Sequence, residues 1–283
     1  MDLSVIKGLK FEPINHCYTF KDTILYALGL GYGSNPVDPA ELEFVYEENL
    51  KAVPSLCVVL AHPGFWAKDP KYGIDWVKIL HAEQDFEIHK PLPKEGTVRG
   101  EYEIEAVVDK GADKAAMLYQ LKKLYDAEDD LVATVRSVLF MRGDGGCGSF
   151  GAAPAMPGAI EATTPDQVVE IATLPQQALI YRLSGDFNPI HADPAPAKKA
   201  GFDRPILHGL CSMGIATRAL LQTYAPGNPD KLKSMFVRFS KPVFPGETIV
   251  TEFFQNGNEV RFRCRSKERD IVVLDRGHAV FHA

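Results

Sequence analysis

Tyr181-Arg182-Leu183-Ser184-Gly185-Asp186-Phe187-Asn188-Pro189-Ile190-His191-Ala192-Asp193-Pro194 is the stretch that organises this 283-residue chain. A shift of 155 residues lays it on an earlier stretch without gaps. Tyr181 falls on Tyr26, Leu183 on Leu28, Asp193 on Asp38, Pro194 on Pro39 and Ala195 on Ala40. A shift of 151 lays Lys241-Pro242 on Lys90-Pro91 and Thr248 on Thr97. Matches of this kind indicate an internal repeat.

The surroundings repeat as well. Each half opens with a segment rich in Leu, Tyr and Gly, passes through a Pro-containing loop, and continues into an apolar, helix-like stretch. Alternating strands follow: residues 85–89, 97–108, 118–126 and 130–140 in the first half, and 234–240, 248–255, 259–267 and 270–281 in the second. Val260-Arg261-Phe262-Arg263-Cys264-Arg265 shows the period of two expected of a half-buried antiparallel strand. One helix followed by a meander, twice over, is an α+β plan. It predicts two sheets joined edge to edge, each wrapping its own helix. The halves span residues 1–142 and 166–283. The Gly-, Ala- and Pro-rich run 143–165 reads as the linker between them.

That linker contains Gly146-Cys147-Gly148-Ser149-Phe150-Gly151, a G-x-G-x-x-G after a strand-like run. A dinucleotide site needs a helix to start at those glycines. Pro154 and Pro157 follow too soon for one, so the linker reading stands.

Composition narrows the function. Lys and Arg number 31 against 37 Asp and Glu, a net charge of −6. Nucleic acid and anionic membranes reward a basic face, so neither is expected as a partner. The longest apolar run, Leu56 to Ala61, falls far short of the roughly 20 residues of a membrane span. Five unpaired-looking cysteines, no signal-peptide pattern and no peroxisomal tripeptide at Phe281-His282-Ala283 make the cytoplasm the expected location.

The halves differ where chemistry would sit. Asp186 and His191 match Gly31 and Pro36 of the first half, so one copy holds an acid and an imidazole and the other has neither. Pro189 disfavours helix at Asn188, and a turn can aim both side chains at one water molecule. A carboxylate and an imidazole converging on a water form a general acid/base pair. Downstream, small and apolar residues from Gly209 to Ala216 predict a buried helix starting near His208-Gly209. Its first amides are free and carry the positive dipole end, suited to a polarised carbonyl oxygen. Such a set suits addition of water next to a carbonyl, or the reverse.

These residues resemble a known family. Tyr-x-Leu-Ser-Gly-Asp-x-Asn-Pro-Ile-His-x-Asp-Pro followed by Leu-His-Gly looks like the hydratase-2 motif of the MaoC-like, (R)-specific enoyl-CoA hydratases. The first half shares Tyr26-Ala27-Leu28-Gly29, Phe44-Val45-Tyr46-Glu47 and Leu80-His81-Ala82-Glu83-Gln84 with that family's degenerate halves. The resemblance extends over nearly the whole chain, to the two-half proteins that include the hydratase unit of multifunctional β-oxidation enzymes. It implies a double hot-dog, in which each repeat has a long central helix wrapped by an antiparallel sheet. The implied reaction is hydration of trans-2-enoyl-CoA to (3R)-3-hydroxyacyl-CoA.

The resemblance makes Asp186 and His191 the catalytic dyad and the Gly209 amide the donor to the thioester oxygen. Asn188, His208, Glu47 and Gln84 become candidate substrate-binding residues. Asn188 would brace the loop; His208 also reads as a structural residue at the helix start. Glu47 reads as an ion-pair partner or as a residue lining the acyl tunnel, and Gln84 as a polar group between the halves. No cofactor and no metal are implied: His81 lacks the second histidine four residues on that a zinc helix needs. A homodimer is implied, and a peroxisomal location if the chain belongs to a larger multifunctional enzyme. A hot-dog thioesterase and a non-catalytic acyl-CoA binding protein are the alternative readings.

Overall fold

The alternating stretches pair into one antiparallel sheet of ten strands. A computed structural model describes residues 1–282. The strands are β1 (Ile14–Tyr18), β2 (Ile79–Ile88), β3 (Gly96–Asp109), β4 (Ala116–Tyr125), β5 (Leu131–Met141), β6 (Gln167–Ala172), β7 (Leu232–Phe239), β8 (Thr248–Asn256), β9 (Glu259–Ser266) and β10 (Ile271–Phe281). They lie in the order β1-β3-β4-β5-β2-β7-β10-β9-β8-β6. Read from the two edges inward, the order is the same for both halves: edge strand, meander of three, then an inner strand.

The inner strands β2 and β7 join the halves. Glu83 pairs with Arg238, Asp85 with Phe236 and Glu87 with Ser234. The 151-residue shift carries Asp85 onto Phe236 and exchanges the other two pairs, as a local two-fold axis through the Asp85–Phe236 pair requires. The eight strands expected from period-two alternation are all present. β1 and β6 go beyond the strands expected from alternation; they are the short edge strands of the sheet, five and six residues long.

Local capping repeats too. Asp38 accepts from the Ala40 amide at 3.0 Å and Asp193 from the Ala195 amide at 2.9 Å. Each is followed by proline at the first helical position, where a missing N–H costs nothing. The repeated tyrosines, Tyr26 and Tyr181, pack on each other with ring centroids 5.8 Å apart.

The helices do not repeat. In the second half a 16-residue helix, Gly209–Tyr224, is buried without interruption from Cys211 to Leu221. Gly214 fits there because a Cβ would stand 2.3 Å from Leu30. In the first half the expected long helix is replaced by a short 3-10 turn, Pro54–Val58. Ala61 turns left-handed at φ 49°, and Pro63 and Gly64 prevent resumption. The carbonyls left open are taken by a buried lysine: Lys122 Nζ donates to Cys57, Val58 and Leu60 at 2.7, 3.2 and 2.7 Å.

The run 143–165 forms neither helix nor strand, apart from a bridge between Phe150 and Val107. No helix starts at its glycines. The Gly146 and Gly148 amides instead donate to the Asp109 carboxylate, both at 2.8 Å. The anion held by this glycine run is thus a side chain of the protein itself.

Candidate active site

Asp186 and His191 lie on a tight turn that opens beside the start of the long helix. Asn188 forms the turn: its amide donates to Asp186 Oδ1 at 3.1 Å, and its own Oδ1 accepts from the Ile190 amide at 3.3 Å. It caps the 3-10 turn Pro189–His191.

His191 is buried, and Asp186 is half exposed. His191 Nδ1 lies 2.8 Å from the Ile206 carbonyl. A carbonyl only accepts, so Nδ1 carries the proton and a neutral ring leaves Nε2 as a base. Burial outweighs the nearby Asp186 charge and lowers the His191 pKa, which keeps the ring neutral at pH 7. Nε2 stands 3.9 Å from Asp186 Oδ2. That is too long for a direct hydrogen bond, and it leaves both atoms free to meet a water.

His208 is the platform beneath this pair. It is 1% exposed, and its ring stacks on His191 with centroids 3.7 Å apart. Its Nε2 contacts the Asp186 carbonyl at 3.1 Å. Burial first, and then the neighbouring His191, push its pKa down to about 4. Tyr181 packs below, its ring centroid 5.1 Å from that of His208. His208 is also the N-cap residue of the long helix.

Gly209 follows. Its amide has no acceptor among the described residues. A Cβ at Gly209 would stand 3.1 Å from the Phe239 ring, so any larger residue there would press the ring or the amide aside by a few tenths of an ångström. The first half closes the site from the other side. His81, at the start of β2, meets Phe239 edge-on with centroids 4.9 Å apart, and its Nε2 is buried without a partner. Burial lowers the His81 pKa to about 4, opposed by the charge on Asp186. Neither Phe239 nor His81 was a candidate; only the Leu80–Gln84 motif hinted at the latter.

Two candidates lie elsewhere or are already engaged. Gln84 is 1% exposed; its amide donates to the Asp85 and Arg136 carbonyls at 3.0 and 2.9 Å and accepts from Ser137 Oγ at 2.7 Å. It holds β2 to β5. Glu47 is exposed between Glu43 and Lys51, and Lys51 Nζ bonds the Gly227 carbonyl at 2.6 Å. That is beyond the far end of a helix roughly 24 Å long, away from Gly209.

Asp186, His191 and His208 each bring a ligand atom within 4.8 Å of the others. The two imidazoles are stacked, so their in-plane lone pairs run side by side instead of meeting at one point. His191 Nδ1 and His208 Nε2 are already engaged with carbonyls. This geometry suits a proton-transfer pair on a ring platform better than a metal centre.

Residues 16–143 match the MFE-2 hydratase 2 N-terminal domain, and residues 158–276 match the MaoC like domain. The chain is 38% identical over 289 residues to enoyl-CoA hydratase 2, peroxisomal, of Arabidopsis thaliana, covering 94% of this chain and 91% of that one. The chain belongs to the MaoC-like hydratase 2 family. A second relative, 3-hydroxyacyl-thioester dehydratase Y of Mycobacterium tuberculosis, is 38% identical over 95% of both chains. The mouse peroxisomal multifunctional enzyme type 2 is 35% identical, but this chain spans only 37% of its length. Among solved structures, a MaoC-like dehydratase from Phytophthora capsici superposes with a TM-score of 0.89 at 34% identity, covering 100% of this chain and 98% of that one. A Mycobacterium tuberculosis protein described as a double hotdog fold superposes with a TM-score of 0.57 at 12% identity, a likeness of fold alone. It covers 96% of both chains. The Phytophthora capsici dehydratase thus shares the two-half sheet described above.

Proposed function

We propose that this chain is a hydro-lyase that adds water to trans-2-enoyl-CoA, giving (3R)-3-hydroxyacyl-CoA. The observation that carries the reading is the 3.9 Å gap between Asp186 Oδ2 and His191 Nε2 beside the unengaged Gly209 amide. A water in that gap donates to both groups. His191 Nε2 takes its proton as the oxygen bonds to the β-carbon of the enoyl group. The electron pair moves onto the thioester oxygen, where the Gly209 amide and the helix N-terminus stabilise it. The dyad then returns a proton to the α-carbon, which restores the carbonyl. Atoms balance with water and enoyl thioester alone, so the reaction needs no cofactor or metal. The first half, lacking both dyad residues and the long helix, serves as the wall of an acyl pocket.

The names of the relatives support an acyl-CoA substrate. The remaining features of the reading are a homodimer and a cytoplasmic location, or a peroxisomal one as part of a multifunctional enzyme. No helix of the described residues is long and apolar enough to cross a membrane.

The test is loss of the enoyl absorbance on adding purified protein to trans-2-enoyl-CoA, with chiral analysis of the product. Asp186→Asn and His191→Gln should each lower kcat by about 10²–10⁴-fold with unchanged circular dichroism. Release of free CoA thiol would instead make the chain a thioesterase, and tight binding without turnover a carrier. A 3S product would contradict the family chemistry.

A further inference from the structure

One three-residue contact stands twice in the molecule, once in each half. The 155-residue shift carries Gly209, first residue of the long helix, onto Pro54, first residue of the 3-10 turn. Proline has no N–H to offer an oxygen. The 151-residue shift carries Phe239 onto Ile88 and Leu232 onto His81. His81 meets the Phe239 ring with centroids 4.9 Å apart, and that ring lies against Gly209. The counterparts meet as well, for Pro54, Ile88 and Leu232 line one small gap. Beside the dyad the contact is glycine, phenylalanine and histidine. Beside Gly31 and Pro36 it is proline, isoleucine and leucine. The imidazole is therefore present only where the dyad and the donor amide are.

A β-bulge puts His81 into this contact. His81 pairs with Leu139 and Glu83 with Val138, so two steps along β2 match one along β5. Leu139 and Val138 point to opposite faces of the sheet. So do His81 and Glu83, although they are two residues apart. Glu83 shares its face with Arg238, and His81 is turned to the helix side, where Phe239 lies. β7 has the same irregularity: Leu232 pairs with Phe281 and Ser234 with Val280. The bulge belongs to the repeat, and the imidazole does not.

An imidazole is costly at this place. Its Nε2 is buried without a hydrogen-bond partner among the described residues, a penalty that leucine avoids. What it adds is orientation. Rings in edge-on contact orient each other through their charge distributions, whereas leucine only fills space. The Phe239 ring would stand 3.1 Å from a Cβ on Gly209, so its setting bounds where the Gly209 amide sits.

We propose that His81 is a positioning residue for the hydration: from the first half, through Phe239, it holds the Gly209 amide where the thioester oxygen is received. The proposal rests on the hydratase reading. It gives the half without a dyad a part in turnover besides walling the acyl pocket.

The test combines kinetics on trans-2-enoyl-CoA with the amide resonance of Gly209 in protein carrying isotope-labelled glycine, the resonance being identified by its loss in Gly209→Ala. His81→Leu should lower kcat about tenfold and leave KM within about twofold. His81→Phe keeps an aromatic contact and should lose less. Phe239→Leu and His81→Leu/Phe239→Leu should have equal kcat, because His81 acts through Phe239. The Gly209 resonance should shift in His81→Leu. An unchanged kcat, a rise in KM alone, additive losses in the double variant or an unmoved Gly209 resonance overturns the proposal. If His81→Leu does not fold, His81→Phe beside Phe239→Leu carries the same comparison. Hydration of no enoyl thioester by the parent would overturn the hydratase reading instead, and the resonance would still decide whether His81 positions Gly209.

Discussion

His191 lies on His208 with the two rings 25° from parallel and 3.7 Å apart. Both rings are buried, and each uses one nitrogen to hold a backbone carbonyl: Ile206 for His191, Asp186 for His208. The base and the backbone of the acid are thus fixed through one stack. His208→Phe keeps the stacking surface and loses the carbonyl contact. It should lower kcat about tenfold with little change in KM, the signature of a mispositioned dyad. His208→Ala removes the platform as well and should cost more. Equal kcat in both variants and the parent would remove His208 from the positioning of the site.

The same burial sets the pH dependence of turnover. His191 must be neutral to act as a base, and its pKa is lowered below the ordinary 6.5 by burial. The acid limb of the kcat/KM profile should therefore lie below pH 6.5. A limb centred above that value would mean that a different base carries the reaction.

Stability should follow pH on the acid side as well. His81 and His208 are both held near a pKa of about 4, chiefly by burial, against 6.5 in an unfolded chain. Between those values the unfolded chain binds more protons, so stability is full above pH 6.5 and is lost as pH falls toward 4. For His81 alone the loss is on the order of 3 kcal/mol. Urea midpoints measured from pH 7 to pH 4.5 should fall steadily, and His81→Phe should flatten that slope.

Gly209 and Phe239 make a pair that can be tested by rescue. Gly209→Ala puts a methyl 3.1 Å from the ring, which shifts the amide that faces the thioester oxygen. A shift of this kind should lower kcat by about 10–100-fold while the fold persists. Phe239→Leu makes room for the methyl, so the double variant should regain part of the lost rate. A double variant no better than Gly209→Ala would place the defect elsewhere.

What could be read from the chain beforehand was whatever is local. Asp186, Asn188 and His191 lie within one turn, so their joint purpose was legible. The eight longer strands declared themselves by alternation. Leu56 to Ala61 is apolar at every position, so no period distinguishes a helix from a 3-10 turn there; Lys122, distant in sequence, makes the turn tenable. Gln84 and Glu47 were candidates by motif alone, and their fates were set by distant partners. Phe239 and the Ile206 carbonyl had no sequence signal at all, because each matters only through what the fold lays against it.

Lys122 should prove essential to the first half. It is 3% exposed, and burial pushes its ammonium down to about 8. Lys122→Met keeps the length of the side chain and strands the carbonyls of Cys57, Val58 and Leu60. Loss of a buried donor of this kind should cost about 2–4 kcal/mol in urea unfolding. The linkage has a definite sign: the unfolded chain keeps its proton to about 10.5, so the parent should gain stability from this group between pH 8 and 10.5, and the methionine variant should not.

Arg218 and Glu41 tie the long helix to the first half where the second site has been lost. Gly31 stands where the second half has Asp186, and a Cβ there would be 3.1 Å from Arg218 Nη1. The guanidinium pairs with Glu41, which also accepts from the Gly33 amide at 2.7 Å and Gln222 at 3.0 Å; both side chains are nearly buried. Removing one partner leaves an uncompensated charge, so Arg218→Met should cost about 3–5 kcal/mol. Glu41→Leu together with Arg218→Met removes both charges and should cost less than the sum of the singles, by a coupling of about 1–3 kcal/mol in a double-mutant cycle. Strict additivity would mean that the pair acts through separate contacts, and that the emptied turn at Gly31 does not depend on the arginine that fills it.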